Sequence, residues 1–206
     1  MRVNAQTMDE HRRALLGSAA GAFAGEGYEG AAIDRISQAA GLAKGTIYNY
    51  FPSKRAIFEE VLRQGCRYAS EAAEAVPDGA SSGERLEAFV NGNLTWAFAE
   101  PAVATVLARE LTGGSPETRE LILDASAPCI DKVCSILRAG AGSGEFALPG
   151  EEREMAVTFI ALANALMLQA AMGGWPPIAE LPGAVTTLFL HGVTSHGGVG
   201  GEQGRT

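Results

Sequence analysis

The chain has 206 residues, 47% hydrophobic and 19% charged, enough to bury a sizeable core and to exclude whole-chain disorder. Sixteen Lys and Arg against 24 Asp and Glu give a net charge of −8, which excludes a protein coated with basic charge for nucleic acid but leaves room for a local nucleic-acid surface. The length fits one large domain or two small ones.

Helical spacing dominates along the chain, and an all-α fold is expected. Residues Met1 to Glu10 are polar, with no apolar stretch of the secretory type. Leu15, Ala19, Ala22 and Phe23 then mark an amphipathic helix from about Met8 to Ala24, stopped by Gly25 and Gly27. Ile33, Ile36 and Ala40 define a short second helix, with Gly41 where a left-handed residue is needed. A third short helix is predicted from Ala43 to Tyr50. Pro52 and Ser53 open a long fourth one reaching Ala75, with Ile57, Val61, Tyr68 and Ala72 along one side. A loop at Asp78 to Gly83 precedes helices predicted at about 84–99, 101–112, 116–139, 151–172 and 181–195. Residues 197–206 are Gly-rich and are expected to be a disordered tail.

Met155 to Met172 carries no charge and reaches the lower limit for a transmembrane helix. Its acidic front flank, from Glu151 to Glu154, gives no positive-inside signal. Burial between helices or subunits explains it equally well, so no membrane partner is expected. Cys66, Cys129 and Cys134 are too scattered for a disulfide framework or a zinc cage, and no metal is expected. Cys129 and Cys134 fall on different helix faces, which favours buried small hydrophobes over a redox switch. A reducing cytoplasm is the simplest compartment.

The charge is uneven. Residues 1–64 balance at +1, and the remainder carries −9. An N-terminal part that tolerates a polyanion and a C-terminal part that repels one are thereby distinguished. Within the first part, Ile33 to Tyr50 has the pattern of a helix-turn-helix. Ile36, Ala40, Leu42 and Ile47 hold two short helices together, Ser37 permits a close crossing and Gly41 makes the turn. Tyr48 and Tyr50 flank Asn49, and i and i+2 lie on different helix faces, so both cannot be core. Lys54 sits in the first turn of the long helix, where backbone N–H groups attract anions.

Gly27-Tyr28, Ile33, Ile36, Ala39-Ala40-Gly41, Lys44 to Tyr48, Tyr50-Phe51, Ser53-Lys54 and Ile57-Phe58 strongly resemble the TetR family of bacterial transcriptional regulators, over roughly residues 8–62. The resemblance implies an all-helical homodimer whose three-helix head binds a palindromic DNA operator. Its C-terminal helices would form a ligand pocket and dimer interface, and a small-molecule effector would release a repressor from DNA. The expected division is a head at 1–53, a ligand-binding and dimerisation body at 54–196, and the tail. Lys44, Thr46, Tyr48, Asn49, Tyr50 and Lys54 match the family's DNA-contacting positions. Chemically, Lys44 suits a guanine edge and Asn49 an adenine edge, each worth about 1–3 kcal/mol of discrimination. The others suit phosphates, and Arg35 either. The family's usual Thr-Thr opening of the second helix is here Ala31-Ala32, which removes an N-cap hydroxyl worth about 1 kcal/mol.

For an effector pocket the candidates are Asn93, Trp96, Phe98, Phe159, Asn164, Met167 and Trp175, apolar walls with a few orienting amides. The acidic body favours a neutral or cationic, apolar effector. Ala161, Ala165, Leu168, Val185, Leu188 and Phe189 are the expected dimer surface, because a monomer would leave them as an improbable apolar patch. No cofactor is called for. No nucleophile–base pair or metal-ligand spacing points to an enzyme, and Gly140 to Gly144 lacks the lysine and preceding strand of a phosphate loop. The remaining alternative is a helical small-molecule carrier or partner-binding protein with weakened DNA function.

Overall fold

A computed structural model describes residues 5–75, 79–171 and 181–194. The described residues form α1 (Ala5–Gly30), α2 (Ile33–Ala39), a 3₁₀ turn (Thr46–Asn49), α3 (Lys54–Glu74), α4 (Ser82–Ala99), α5 (Pro101–Gly113), α6 (Pro116–Ala125), α7 (Ala127–Ser143), α8 (Glu152–Ala171) and α9 (Leu181–Thr194). The architecture is all-helical. The predicted tail at 197–206 and Trp175 lie outside the described residues.

Local sequence sets most boundaries. The Ser53 hydroxyl accepts from Ala56 N–H at 3.1 Å and starts α3. Ser81 and Glu84 form a reciprocal capping box on α4. Pro101 and Pro116 occupy the first turns of α5 and α6, where a missing N–H costs nothing.

Three elements differ from the sequence expectation. The first helix continues to Gly30 across a kink at Gly27 (φ 73°, ψ 173°) instead of ending near Ala24. The predicted helix 43–50 is only a 3₁₀ turn over Thr46–Asn49, because Gly45 before it is left-handed (φ 81°). The predicted helix 116–139 is two helices, α6 and α7, meeting at Ser126. Pro128, in the first turn of α7, has no N–H to continue the α6 ladder.

Two buried clusters hold the chain. The first joins Leu15, Ala19 and Phe23 of α1 and Ile36 of α2 to Ile57, Val61 and Leu62 of α3, then to Val103 and Leu107 of α5 and Ile122 of α6. The second joins α4, α7, α8 and α9 through Phe89, Ile136, Leu137, Phe159 and Phe189. α3 takes part in both sides of the packing, touching α1, α4, α5, α6 and α7. Phe159 lies 6.0 Å from Phe89 and 4.9 Å from Phe189, ring centre to ring centre. On α8, Ala156, Phe159, Ala163, Met167 and Ala170 make the buried stripe. The opposite side of this long apolar helix is open, including Val157, Ala161, Leu162 and Ala165.

Phe159→Ala is expected to lower stability by about 3–5 kcal/mol, the usual loss for an aromatic side chain removed from a close-packed core. Phe98→Ala, at a side chain 54% exposed, should stay within about 0.5 kcal/mol of the parent. Urea midpoints at constant slope measure both.

Candidate functional site

The helix-turn-helix is built from α2 and the 3₁₀ turn, clamped by Ile36 and Ile47, both fully buried. Ser37 is also fully buried, and its carbonyl accepts from Leu42 N–H at 2.9 Å across the turn. Gly41 has φ 73°, the left-handed geometry that the chain reversal requires. Ala32 occupies the N-cap of α2 without a side-chain hydrogen bond. The start of α2 therefore lacks a hydroxyl that would satisfy one of its orphan N–H groups.

The seven residues proposed for DNA contact fall into two sets. Lys44, Thr46, Tyr48 and Asn49 come from one short projecting segment. Tyr48 is 56% exposed, Lys44 and Asn49 are exposed and Thr46 is half-buried. The other three are already engaged. Arg35 pairs with Glu26 at 2.6 Å. Tyr50 is half-buried, its hydroxyl 2.8 Å from His11 Nδ1. Lys54 donates to the Glu29 carbonyl at 3.0 Å, and its ammonium stands 4.9 Å from the Tyr28 ring centre. Lys44 itself pairs with Asp34 at 2.7 Å. That carboxylate, by hydrogen bond and by charge, raises the lysine pKa above its ordinary value. Asp34 and Glu26 were not singled out by the sequence reading, since pairs ten and nine residues apart follow no helical period. Each carboxylate holds one of the cations expected to contact DNA.

In the body, a small cavity of about 20 Å³ is lined in part by Cys66, Asn93, Cys129 and Asn164. An open groove of about 270 Å³ between α5 and α8 is lined by Ala108, Leu111, Thr112, Ala161, Asn164, Ala165 and Leu168. Asn93 and Asn164 thus reach cavity walls. Asn93 is tied down, its amide nitrogen donating to the Phe89 carbonyl at 3.0 Å and its oxygen accepting from Trp96 Nε1 at 3.1 Å. Trp96 packs on Tyr68, while Phe159 and Met167 are fully buried core side chains. Phe98 lies on the outer face of α4, exposed to solvent, which corrects its expected place in the pocket. Of the expected dimer residues, Ala161, Ala165 and Leu188 are exposed, and Leu168 and Val185 are half-buried. Phe189 is a correction. With Pro182 and Thr186 it forms the inward face of α9 and packs against Phe159.

These features define a class: a helix-turn-helix head carried on an all-helical body. Residues 15–61, which hold the helix-turn-helix, match the family described as "Bacterial regulatory proteins, tetR family". It is 23% identical over 136 residues to the HTH-type transcriptional regulator RutR of Escherichia coli (strain K12), a match covering 66% of this chain and 64% of RutR. The chain therefore spans less than two thirds of that relative's length. It is 25% identical over 132 residues to the fatty acid metabolism regulator protein of Bacillus subtilis (strain 168), covering 64% of this chain and 68% of the relative. The fold is similar to that of the transcriptional regulator FadR from Bacillus subtilis in complex with stearoyl-CoA. There the TM-score is 0.77 at 21% identity, over 88% of this chain and 98% of that one.

All three cysteines are buried free thiols. Burial, with a small contribution from Cys66, pushes the Cys129 pKa from its ordinary 9.0 up to about 12. A thiol that stays protonated in the fold but ionises when unfolded supports stability in full below the unfolded pKa. That support is lost as pH rises from about 9 to about 12. Urea midpoints of the parent should therefore fall more steeply with pH over this window than those of Cys129→Ala. Thiol-directed reagents at pH 8 should label Cys129 only after unfolding.

Proposed function

We propose that this chain is a sequence-specific DNA-binding transcriptional regulator. In this reading it is a homodimeric repressor that binds a palindromic operator and is released by a small-molecule effector. The observation that carries the reading is the projecting segment Lys44 to Asn49, which presents a cation, a phenol and an amide beyond a buried helix-turn-helix core. Lys44 and Asn49 have the chemistry to read purine edges, while Thr46 and Tyr48 have hydroxyls for phosphate oxygens. Arg35, Tyr50 and Lys54 act as supporting contacts and must first exchange their present partners. The head corresponds to residues 1–53 and the body to residues 54–196. Its place of action is the cytoplasm, where the DNA is.

The open side of α8 supports the dimer. Ala161 and Ala165, with Val157 and Leu162 beside them and Leu188 of α9 at 69% exposure, form an apolar face that a second copy would cover. Two heads held by such an interface must sit about 34–36 Å apart, or a multiple of that, to enter major grooves on one side of the duplex. The Bacillus subtilis FadR solved with stearoyl-CoA makes acyl thioesters suitable first probes for an effector.

Selection from a random duplex pool tests the reading directly. An enriched inverted repeat is the expected result, and no enrichment by folded protein would overturn it. On the selected duplex, Lys44→Ala should weaken binding roughly tenfold and relax one base position, as loss of a bidentate base contact does. Asp34→Asn should tighten binding and steepen its salt dependence, because Lys44 then meets DNA without a competing carboxylate.

A further inference from the structure

The groove between α5 and α8 does not end where its apolar walls do. A second cavity of about 470 Å³ adjoins it, sharing Thr112 and Leu168 and adding Thr105, Arg109 and Ala171. The two reach the size of ordinary small-molecule sites, roughly 300–1,000 Å³. Their polar walls are largely spent. Thr105 donates to the Pro101 carbonyl at 2.8 Å and Thr112 to the Ala108 carbonyl at 3.1 Å, each back onto its own helix. Arg109 is the charged side chain in the lining, and no carboxylate among the described residues pairs with it. Its neighbour Glu110 faces the charge of Arg55 and lines neither cavity.

One bond of Arg109 crosses to another part of the molecule. Nη1 donates to the carbonyl of Ala24 at 2.5 Å. Ala24 lies in the last regular turn of α1 before the Gly27 kink. Carbonyls at a helix C-terminus lack intrahelical donors and carry partial negative charge, so a cation there acts as a cap. Arg109 therefore ties the body, through α5, to the helix that carries the head.

We propose that this groove binds an aliphatic chain with an anionic head, and that the head captures Arg109 from the Ala24 carbonyl. A carboxylate or phosphate accepts two parallel N–H bonds from a guanidinium, and such charge-assisted bonds are roughly twice as strong as bonds to a neutral carbonyl. The ligand wins the competition, α1 loses its cap, and the head loosens against α5. The −9 carried by residues 65–206 does not prevent this. Charges more than about 8 Å away are largely screened at physiological ionic strength, and within the groove Arg109 is the near charge. The binding half of the inference is independent of the proposed function; the release of DNA rests on it. By linkage, bound operator must weaken the ligand by the same factor as ligand weakens operator.

The test uses the full chain, calorimetric titration with lauroyl-CoA, dodecanoate and dodecanol, and the duplex selected above. Arg109→Met removes the capturing group, and Thr112→Phe, at an exposed position shared by both cavities, fills the groove. Circular dichroism melts establish that both variants fold. At least one anion should bind, with dodecanol at least tenfold weaker. Dodecanoate alone would point to free acids, and lauroyl-CoA, with or without dodecanoate, to thioesters. Arg109→Met should lose at least tenfold for the anion and leave dodecanol unchanged. Thr112→Phe should lose the bound anion. Saturating anion should weaken DNA binding by the parent tenfold or more, whereas Arg109→Met should be weak without ligand and no weaker with it. Dodecanol binding as well as the anions, undiminished binding by Thr112→Phe, or no binding at all would overturn the site. Anion binding that leaves DNA affinity unmoved would overturn the capture. A pool with no enriched sequence would instead remove the DNA reading, with the titrations still deciding the site.

Discussion

The buried faces of α1 and α3 are shared between the DNA-facing end of the molecule and its body. Leu15, Ala19 and Phe23 of α1 pack with Ile36 and Ile47 on one side, and the same cluster runs on into Val103, Leu107 and Ile122. The head therefore has no hydrophobic core of its own that closes before the body begins. Close-packed interiors transmit displacement rather than absorb it, so a shift of α5 or α6 is felt at Ile47, one residue from Tyr48. The Phe23, Tyr28 and Phe58 rings, with centroids 4.8–6.0 Å apart, reinforce the joint just beyond the Gly27 kink. Any regulation of the head from the body depends on that shared core.

The electrostatics of the head work against tight, indiscriminate binding. Lys44 and Arg35 are each held by a carboxylate, and residues 1–64 balance at +1. Non-specific affinity for duplex DNA comes almost entirely from phosphate neutralisation. A head in which two of the exposed cations are already paired gains less from it. The missing hydroxyl at Ala32 acts in the same direction, by removing one neutral phosphate donor. On the proposed reading, discrimination then rests more heavily on Lys44 and Asn49 than it would in a strongly basic head.

Much of this was legible in the sequence. Periodic apolar positions located α1, α3, α4, α5, α8 and α9 because each buries one stripe, and Ser53 and Gly41 announced a cap and a turn through their own chemistry. What escaped was set by contacts between distant segments or by single residues inside periodic runs. Pro128 breaks a pattern that continues on both sides of it, so α6 and α7 read as one helix. Gly45 shortens the recognition element to a 3₁₀ turn although the apolar spacing on either side suits an α-helix. Phe98 and Phe189 show the limit of composition. Both are large and aromatic, yet one faces solvent and the other the core, a difference set by which side of α4 or α9 its neighbours occupy. The pairings Asp34–Lys44 and Arg109–Ala24 depend on tertiary approach and leave no trace in spacing.

The open part of α8 has two proposed uses that share residues. Ala161 and Ala165 belong to the apolar face assigned to a second copy and also to the wall of the α5–α8 groove. Small side chains at both positions serve each use, since they let a partner helix approach and leave room for a chain beside α5. A ligand that fills the groove against Leu168 would therefore lie beside the proposed subunit interface as well as beside Arg109. Its binding energy can act on two contacts, the cap on α1 and the packing of one α8 against another. Coupling through the first changes how a head sits on its own body. Coupling through the second changes the distance between two heads, and the spacing of major grooves tolerates neither change.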